Sequence, residues 1–200
     1  MIKNNFINTT RSIANKRKNK NYSKLKVRIP YIWFFSDSIK TKNPLTILKQ
    51  LPKNSGVVVR SYNDDNKQKI ISDAINEKTK RLLTVLVAGK FKKASNLDGI
   101  HYPKWANNSQ NRKYKIISIS AHSGRDIRRS INVKANLAFI SPVFISSSHN
   151  NNKSLGVVKL GLLARLFKIP VIALGGINNA NVAKLKGLPI SGCAGIDVFL

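Results

Sequence analysis

Two glycine pairs near the end of the chain carry the clearest chemical signal. Gly175 and Gly176 close the run "IPVIALGGIN", and Gly192 and Gly195 bracket "GCAG". Glycine lets main chain approach a ligand with no Cβ in the way, so backbone N–H groups reach an oxyanion directly. "LGGIN" is expected to run from a strand into a helix start, where such amides face a phosphate. Paired glycines also serve tight strand-to-helix packing. The second pair on the following strand favours the phosphate, because two turns would then face one anion.

A second group lies in "ISPVFISSSHNNNKSLG", residues 140–156, which begins as a buried strand and becomes a polar loop. Long loops in compact domains tend to be functional, so this one is expected to act as a substrate flap. Ser146, Ser148 and His149 would then point towards a second anionic or leaving group. His122 is a candidate acid–base group beside Ser120 and Ser123, although a histidine at a strand end is more often a structural hydrogen-bonding residue. His101 adjoins Pro103 and reads as part of a shaped turn that Asp98 braces. Arg60, Lys90 and Lys104 are the cations that follow apolar runs.

These residues need a frame that brings the ends of many runs together. From Pro30 onward, short apolar runs alternate with longer mixed segments, the pattern of a parallel sheet with crossover helices. The runs are "YIWFFS" (31–36), "GVVVR" (56–60), "LLTVLVA" (82–88), "DGIHY" (98–102), "KIISIS" (115–120), "LAFIS" (137–141), "PVIALGG" (170–176) and "GCAGID" (192–197). Helices are predicted for "PLTILKQL", "DNKQKIISDAINEKTK" and "VVKLGLLARLF", while the third and fourth connections are short. Eight strands predict an α/β fold, a (β/α)8 TIM barrel with its eighth helix missing or replaced; an open doubly wound sheet is the competitor. In such a barrel ligands sit at the C-terminal ends of the strands, where the residues above fall. The gap beside the first and last strands would be covered by the leading segment or by a second subunit, as in a homodimer.

Composition narrows the setting. Of 200 residues, 36 are Lys or Arg and 8 are Asp or Glu, a formal charge of +28 that would attract nucleic acid, anionic lipid or phosphorylated metabolites alike. The even spread of charge reads as compositional background more than as a polyanion surface. The charge leaves nucleic acid as an open partner that nothing else in the sequence calls for. Residues 1–28 hold no acidic side chain and little apolar periodicity, so they are expected to form a basic, flexible arm ahead of a barrel spanning 29–200. No apolar run is long enough to cross a membrane as a helix, and the single cysteine, Cys193, gives no disulfide framework. A cytoplasmic protein is expected.

Assembled in order, the motifs resemble those of the thiamine phosphate synthase/TenI family. "SAHS" (120–123) is similar to Ser-Val-His-Ser, "SPVFISSSH" (141–149) to Gly-Pro-Val-Phe-x-Thr-x-Ser-Lys, "IPVIALGGIN" (169–178) to Ile-Pro-Val-x-Ala-Ile-Gly-Gly-Ile, and "DGIHY" to Asp-Gly-Val-His-Leu. The resemblance implies a barrel that joins an aminopyrimidine methyl diphosphate to a thiazole phosphate, releasing pyrophosphate in thiamine biosynthesis. A TenI-like barrel that binds or tautomerises a thiazole phosphate is the alternative. It further implies that Gly175, Gly176 and the backbone of Gly195, Ile196 and Asp197 hold the thiazole phosphate. Ser146 and Ser148 would line the thiazole side of the flap, and Arg60, Ser120 and His149 would face the diphosphate. His149 stands where a synthase has lysine, so its charge would depend on pH. Mg2+ is also implied, yet the segments that would supply its aspartates read "LVAGKF" and "HYPKWA". Of the Gln-x-Arg-x-Lys signature, only Arg60 is kept.

Overall fold

Runs that are apolar at nearly every position offer no polar face to water, so each must be covered on both sides. A computed structural model, which describes residues 4–17, 28–37, 39–60, 64–89, 91, 96–106, 114–146 and 153–200, shows how. The eight runs form β1 (Ile32–Phe35), β2 (Gly56–Val59), β3 (Thr84–Ala88), β4 (Gly99–Tyr102), β5 (Ile116–Ala121), β6 (Leu137–Ile140), β7 (Val171–Leu174) and β8 (Gly192–Gly195). All pair in parallel in chain order, and β8 closes on β1 with Trp33 opposite Ala194.

Strand alternation divides the apolar residues between two cores. Trp33, Phe35, Val58, Leu86, Phe139 and Ile172 fill the barrel, whereas their neighbours Phe34, Val57, Val59, Val85, Val87, Ile140 and Val171 face the outer shell. Phe139 meets Trp33 and Phe35 edge-on, with ring centroids 5.2 and 4.9 Å apart. Gly56 leaves room for the Trp33 ring, which a Cβ at that position would strike. The indole N–H of Trp33 donates to the Pro30 carbonyl at 2.7 Å, so this large side chain is buried with its polar atom satisfied.

The predicted helices are present as α2 (Pro44–Gln50), α3 (Asp64–Arg81) and α5 (Gly156–Leu166). Asn43 starts α2 by accepting the Thr46 N–H, with Pro44 in the first turn. Ile70, Ile71 and Ala74 bury one face of α3, and Leu160, Leu163 and Ala164 bury one face of α5. A further helix, α4 (Arg125–Asn132), follows β5 in a connection whose helix was not singled out from sequence. Its sequence, "RDIRRSIN", has only Ile127 and Ile131 as apolar positions, of which Ile131 is exposed, and its buried side chains are Asp126 and Ser130.

The leading segment corrects another expectation. Within the expected flexible arm of residues 1–28, Asn4–Arg17 forms helix α1, which packs on β8 and β1, while residues 1–3 and 18–27 lie outside the described residues. Phe6 and Ile13, one turn either side of buried Thr9 and Thr10, make a short stripe that the surrounding Lys, Asn and Arg disguise. Phe6 meets Phe199 edge-on at 5.7 Å, and Phe199 meets Phe34 of β1 at the same distance. Asn179 accepts the Phe6 N–H and Arg11 donates to the Tyr31 hydroxyl. A helix from the start of the chain thus covers the seam that an eighth helix would otherwise close.

Candidate functional site

The C-terminal ends of the strands open into one cavity of about 400 Å³. Phe35 and His101 line it, set in the uppermost layer of the barrel interior. Of the residues singled out from sequence, Arg60, Ser120, His122 and Ser146 line the cavity, as do Gly175, Gly176, Gly195 and Ile196. Lys104 and Asp197 stand on the same wall. Ser148, His149 and Lys90 lie outside the described residues.

His101 on β4 projects between two inward hydroxyls of β5. Its Nδ1 lies 2.9 Å from Ser118 Oγ and its Nε2 2.9 Å from Ser120 Oγ. Ser118 spends its own proton on the Ile100 carbonyl, so it accepts from Nδ1–H. Nε2 then accepts from the Ser120 hydroxyl, whose lone pairs are left to the cavity. Burial, followed by the positive charges of Arg60 and Arg129, lowers the His101 pKa from 6.5 to about 3 and keeps the ring neutral. The histidine read as part of a shaped turn therefore orients a serine in the pocket.

His122 is held just as firmly. Its Nδ1 donates to the Ser141 carbonyl at 2.6 Å, which leaves Nε2 as the ring nitrogen available to the cavity. Asp126, in the first turn of α4, accepts the amide N–H groups of His122 and Ser123 at 2.9 and 3.0 Å. That carboxylate fixes the turn that presents the imidazole. The sequence carried a signal for it in Ser123-x-x-Asp126, the spacing of a helix capping box.

Gly175 and Gly176 adopt φ of 96° and 66°, in the left-handed region that favours glycine. Any Cβ would collide with Pro142 at the first and with the main chain of Phe144 and Ile145 at the second. Close packing against the loop after β6 thus requires these glycines, while the same backbone forms a wall of the cavity. The helix start expected after "LGGIN" is absent. Asn178 and Asn181 instead bond each other's main chain, Asn181 Nδ2 donates to Gly176 O at 2.8 Å, and only a 3₁₀ turn, Val182–Leu185, follows. Asparagine side chains that capture local main-chain groups compete with helix in this way. Gly192 is a second correction: it abuts the Tyr31 backbone at the start of β8 and belongs to the far end of the barrel. Asp98 also lies there, accepting the Val85 N–H and pairing with Lys78.

Around the mouth, polar oxygens are paired with the chain's own cations. Arg60 Nη2 contacts Asp37 Oδ2 at 2.7 Å, and Lys40 Nζ contacts Asp197 at 3.1 Å. Burial would raise the Asp37 carboxyl, but N–H bonds from Lys40 and Ile39 and the Arg60 guanidinium outweigh it and hold it below its ordinary value. Asp197 is 54% exposed and drawn to the loop after β1, so it borders the glycine corner without filling the barrel. Lys67 of α3, buried, donates to Ala88 O at the end of β3 at 2.6 Å. Arg129 of α4 donates to Pro103 O at 2.6 Å and to Ser120 O at 3.3 Å.

These residues do not fit Mg2+, a hard cation that calls for charged oxygen ligands. The sequence has no Asp or Glu at residues 89–97 after β3 or 103–115 after β4, and the Lys67 ammonium donates to Ala88 O at the β3 end. Among the described residues no group of three or more His, Cys, Asp or Glu gathers to hold a metal.

A family model described as thiamine monophosphate synthase matches residues 57–199. A putative thiamine-phosphate synthase 2 of Aquifex aeolicus is 26% identical over 185 residues, covering 87% of this chain and all of that protein. The thiamine-phosphate synthase of Prochlorococcus marinus subsp. pastoris is 34% identical over 86 residues, which are 43% of this chain and 24% of that protein. The chain thus spans about a quarter of the length of the Prochlorococcus relatives that it matches. Among solved structures, a thiamine phosphate pyrophosphorylase from Pyrococcus furiosus superposes with a TM-score of 0.68 at 16% identity, over 84% of this chain and 86% of that one. That likeness establishes the barrel fold.

Proposed function

The chain belongs to the thiamine monophosphate synthase family, and from that premise we propose that it joins an aminopyrimidine methyl diphosphate to a thiazole phosphate. The observation that supports this reading is the convergence of Arg60, Ser120, His122, Ser146 and the glycine corners at 175–176 and 195 on one cavity. In the reaction the thiazole nitrogen lone pair forms a C–N bond to the pyrimidine methylene. The C–O bond to the diphosphate breaks, and its electron pair leaves with pyrophosphate. The pocket must align two reactants and steady the departing anion.

Gly175, Gly176, Gly195 and Ile196 present main chain to the thiazole phosphate. Arg60 and Lys104, which follow β2 and β4 across the mouth, face the diphosphate. Ser120, with its proton held by His101, offers lone pairs to the electron-poor pyrimidine. Ser146 lines the cavity on the thiazole side, and Ser148 and His149 follow it in the sequence.

The test is incubation of the purified chain with both substrates, measuring thiamine phosphate and pyrophosphate. The two products are expected in equal amounts, and Arg60→Ala is expected to slow their formation by about 100-fold, the scale of losing one charged group from an anion site. Binding of the thiazole phosphate with no product in any condition would overturn the transferase reading in favour of a binding barrel.

A further inference from the structure

Among the described residues, several oxygens at the C-terminal ends of the strands and in the loops that follow them are held by cations belonging to the protein. At the β3 end the Ala88 carbonyl takes the Lys67 ammonium, at the β4 and β5 ends Pro103 O and Ser120 O share Arg129, and the carboxylates of Asp37 and Asp197 are matched to Arg60 and Lys40. A divalent ion binds by attracting such lone pairs, and here it would meet ammonium and guanidinium groups already seated on them. Lys67, only 4% exposed, adds a positive field at the strand end itself.

Among the described residues, Arg60 and Lys104 are the cations that line the cavity. Lys104 is exposed on its wall. Arg60 keeps a buried Nε–H that has no acceptor, a donor that an oxyanion in the pocket would satisfy. Main chain at Gly175 and Gly176 completes the wall, whose one acidic side chain among the described residues, Asp197, is paired with Lys40.

We infer that the pocket binds the diphosphate group of its ligand without a divalent metal, with Arg60 and Lys104 supplying the countercharge. The diphosphate class rests on the proposed function; the metal independence rests on the pairing of the mouth's oxygens. Such a site releases its product by breaking hydrogen bonds to side chains, with no metal complex to dissociate.

Equilibrium binding of inorganic pyrophosphate to the full chain tests this, in about 150 mM salt so that the general positive charge is screened, once with excess EDTA and once with excess Mg2+. The dissociation constant with EDTA is expected to stay within about fivefold of that with Mg2+, and Lys104→Gln is expected to weaken binding by about threefold or more in both, as loss of one exposed charge near a polyanion should. Binding that gains more than this from Mg2+, no binding in either buffer, or a smaller effect of Lys104→Gln overturns the inference. Metal-free binding without thiamine phosphate formation leaves the inference standing and removes the transferase reading. Product formation with Mg2+-dependent pyrophosphate binding does the reverse.

Discussion

Enclosed by Phe35, Phe139 and two serine hydroxyls, the His101 ring can remain in place only while uncharged. Its pKa falls from 6.5 to about 3 on folding, chiefly through burial. Between those values the unfolded chain binds a proton that the folded chain does not. Stability from this residue is therefore complete above pH 6.5 and is lost as the pH falls towards 3, by an amount on the order of 3–5 kcal/mol. Urea denaturation of the wild-type chain across that window should show stability declining with acidity, and His101→Gln should remove most of the slope. Asp37, whose carboxyl is held below 3.8, contributes its own loss only at the acid end of the window. An unchanged slope in His101→Gln would mean that the ring is not buried neutral, and Ser120 would then lose the partner that fixes its proton.

At the scale of elements, α1 acts as part of the barrel wall. Its Phe6 ring is wholly buried and continues through Phe199 to Phe34 of β1. Phe6→Ala is expected to cost about 3–5 kcal/mol, the range for an aromatic removed from a packed core. Leu162→Ser, on the exposed side of α5, should change stability by no more than about 0.5 kcal/mol. A urea midpoint for Phe6→Ala equal to that of wild type would show that the helix docks without supporting the barrel. The eight strands were legible in sequence because a parallel strand is apolar on both faces and announces itself as a run. The leading helix was not, since among its described side chains two apolar residues and two threonines are the buried ones. Helix α4 was hidden for a related reason: it buries Asp126 and Ser130 for their hydrogen bonds, and Ile127 and Ile131 are too few to stand out among its charged residues. Counting residues past each strand found much of the cavity wall. It could not find Asp37 against Arg60 or Lys67 against Ala88, because those contacts join residues 23 and 21 positions apart through side-chain hydrogen bonds that leave no mark on the apolar pattern.

For the molecule as a whole, 36 basic and 8 acidic side chains make self-repulsion the dominant long-range term. The described ion pairs, among them Arg60–Asp37 and Lys40–Asp197, are short-range and engage few of these cations. Raising the salt from about 10 to 200 mM shortens the screening length from roughly 30 Å to under 10 Å, which removes repulsion between distant lysines before it weakens a pair in contact. Thermal unfolding should therefore shift upward with sodium chloride, opposite to the effect expected of a fold held together by surface ion pairs. Pyrophosphate offers a sharper comparison at matched ionic strength. An anion that only screens should act like chloride. One that occupies the Arg60 and Lys104 wall adds stability with the logarithm of its concentration, about 1.4 kcal/mol for each tenfold step above its dissociation constant. The expected outcome in EDTA is an increment over chloride that continues to grow with pyrophosphate and shrinks in Lys104→Gln. Equal stabilisation by the two salts would assign the anion to the general surface charge and leave the pocket without a claim on it.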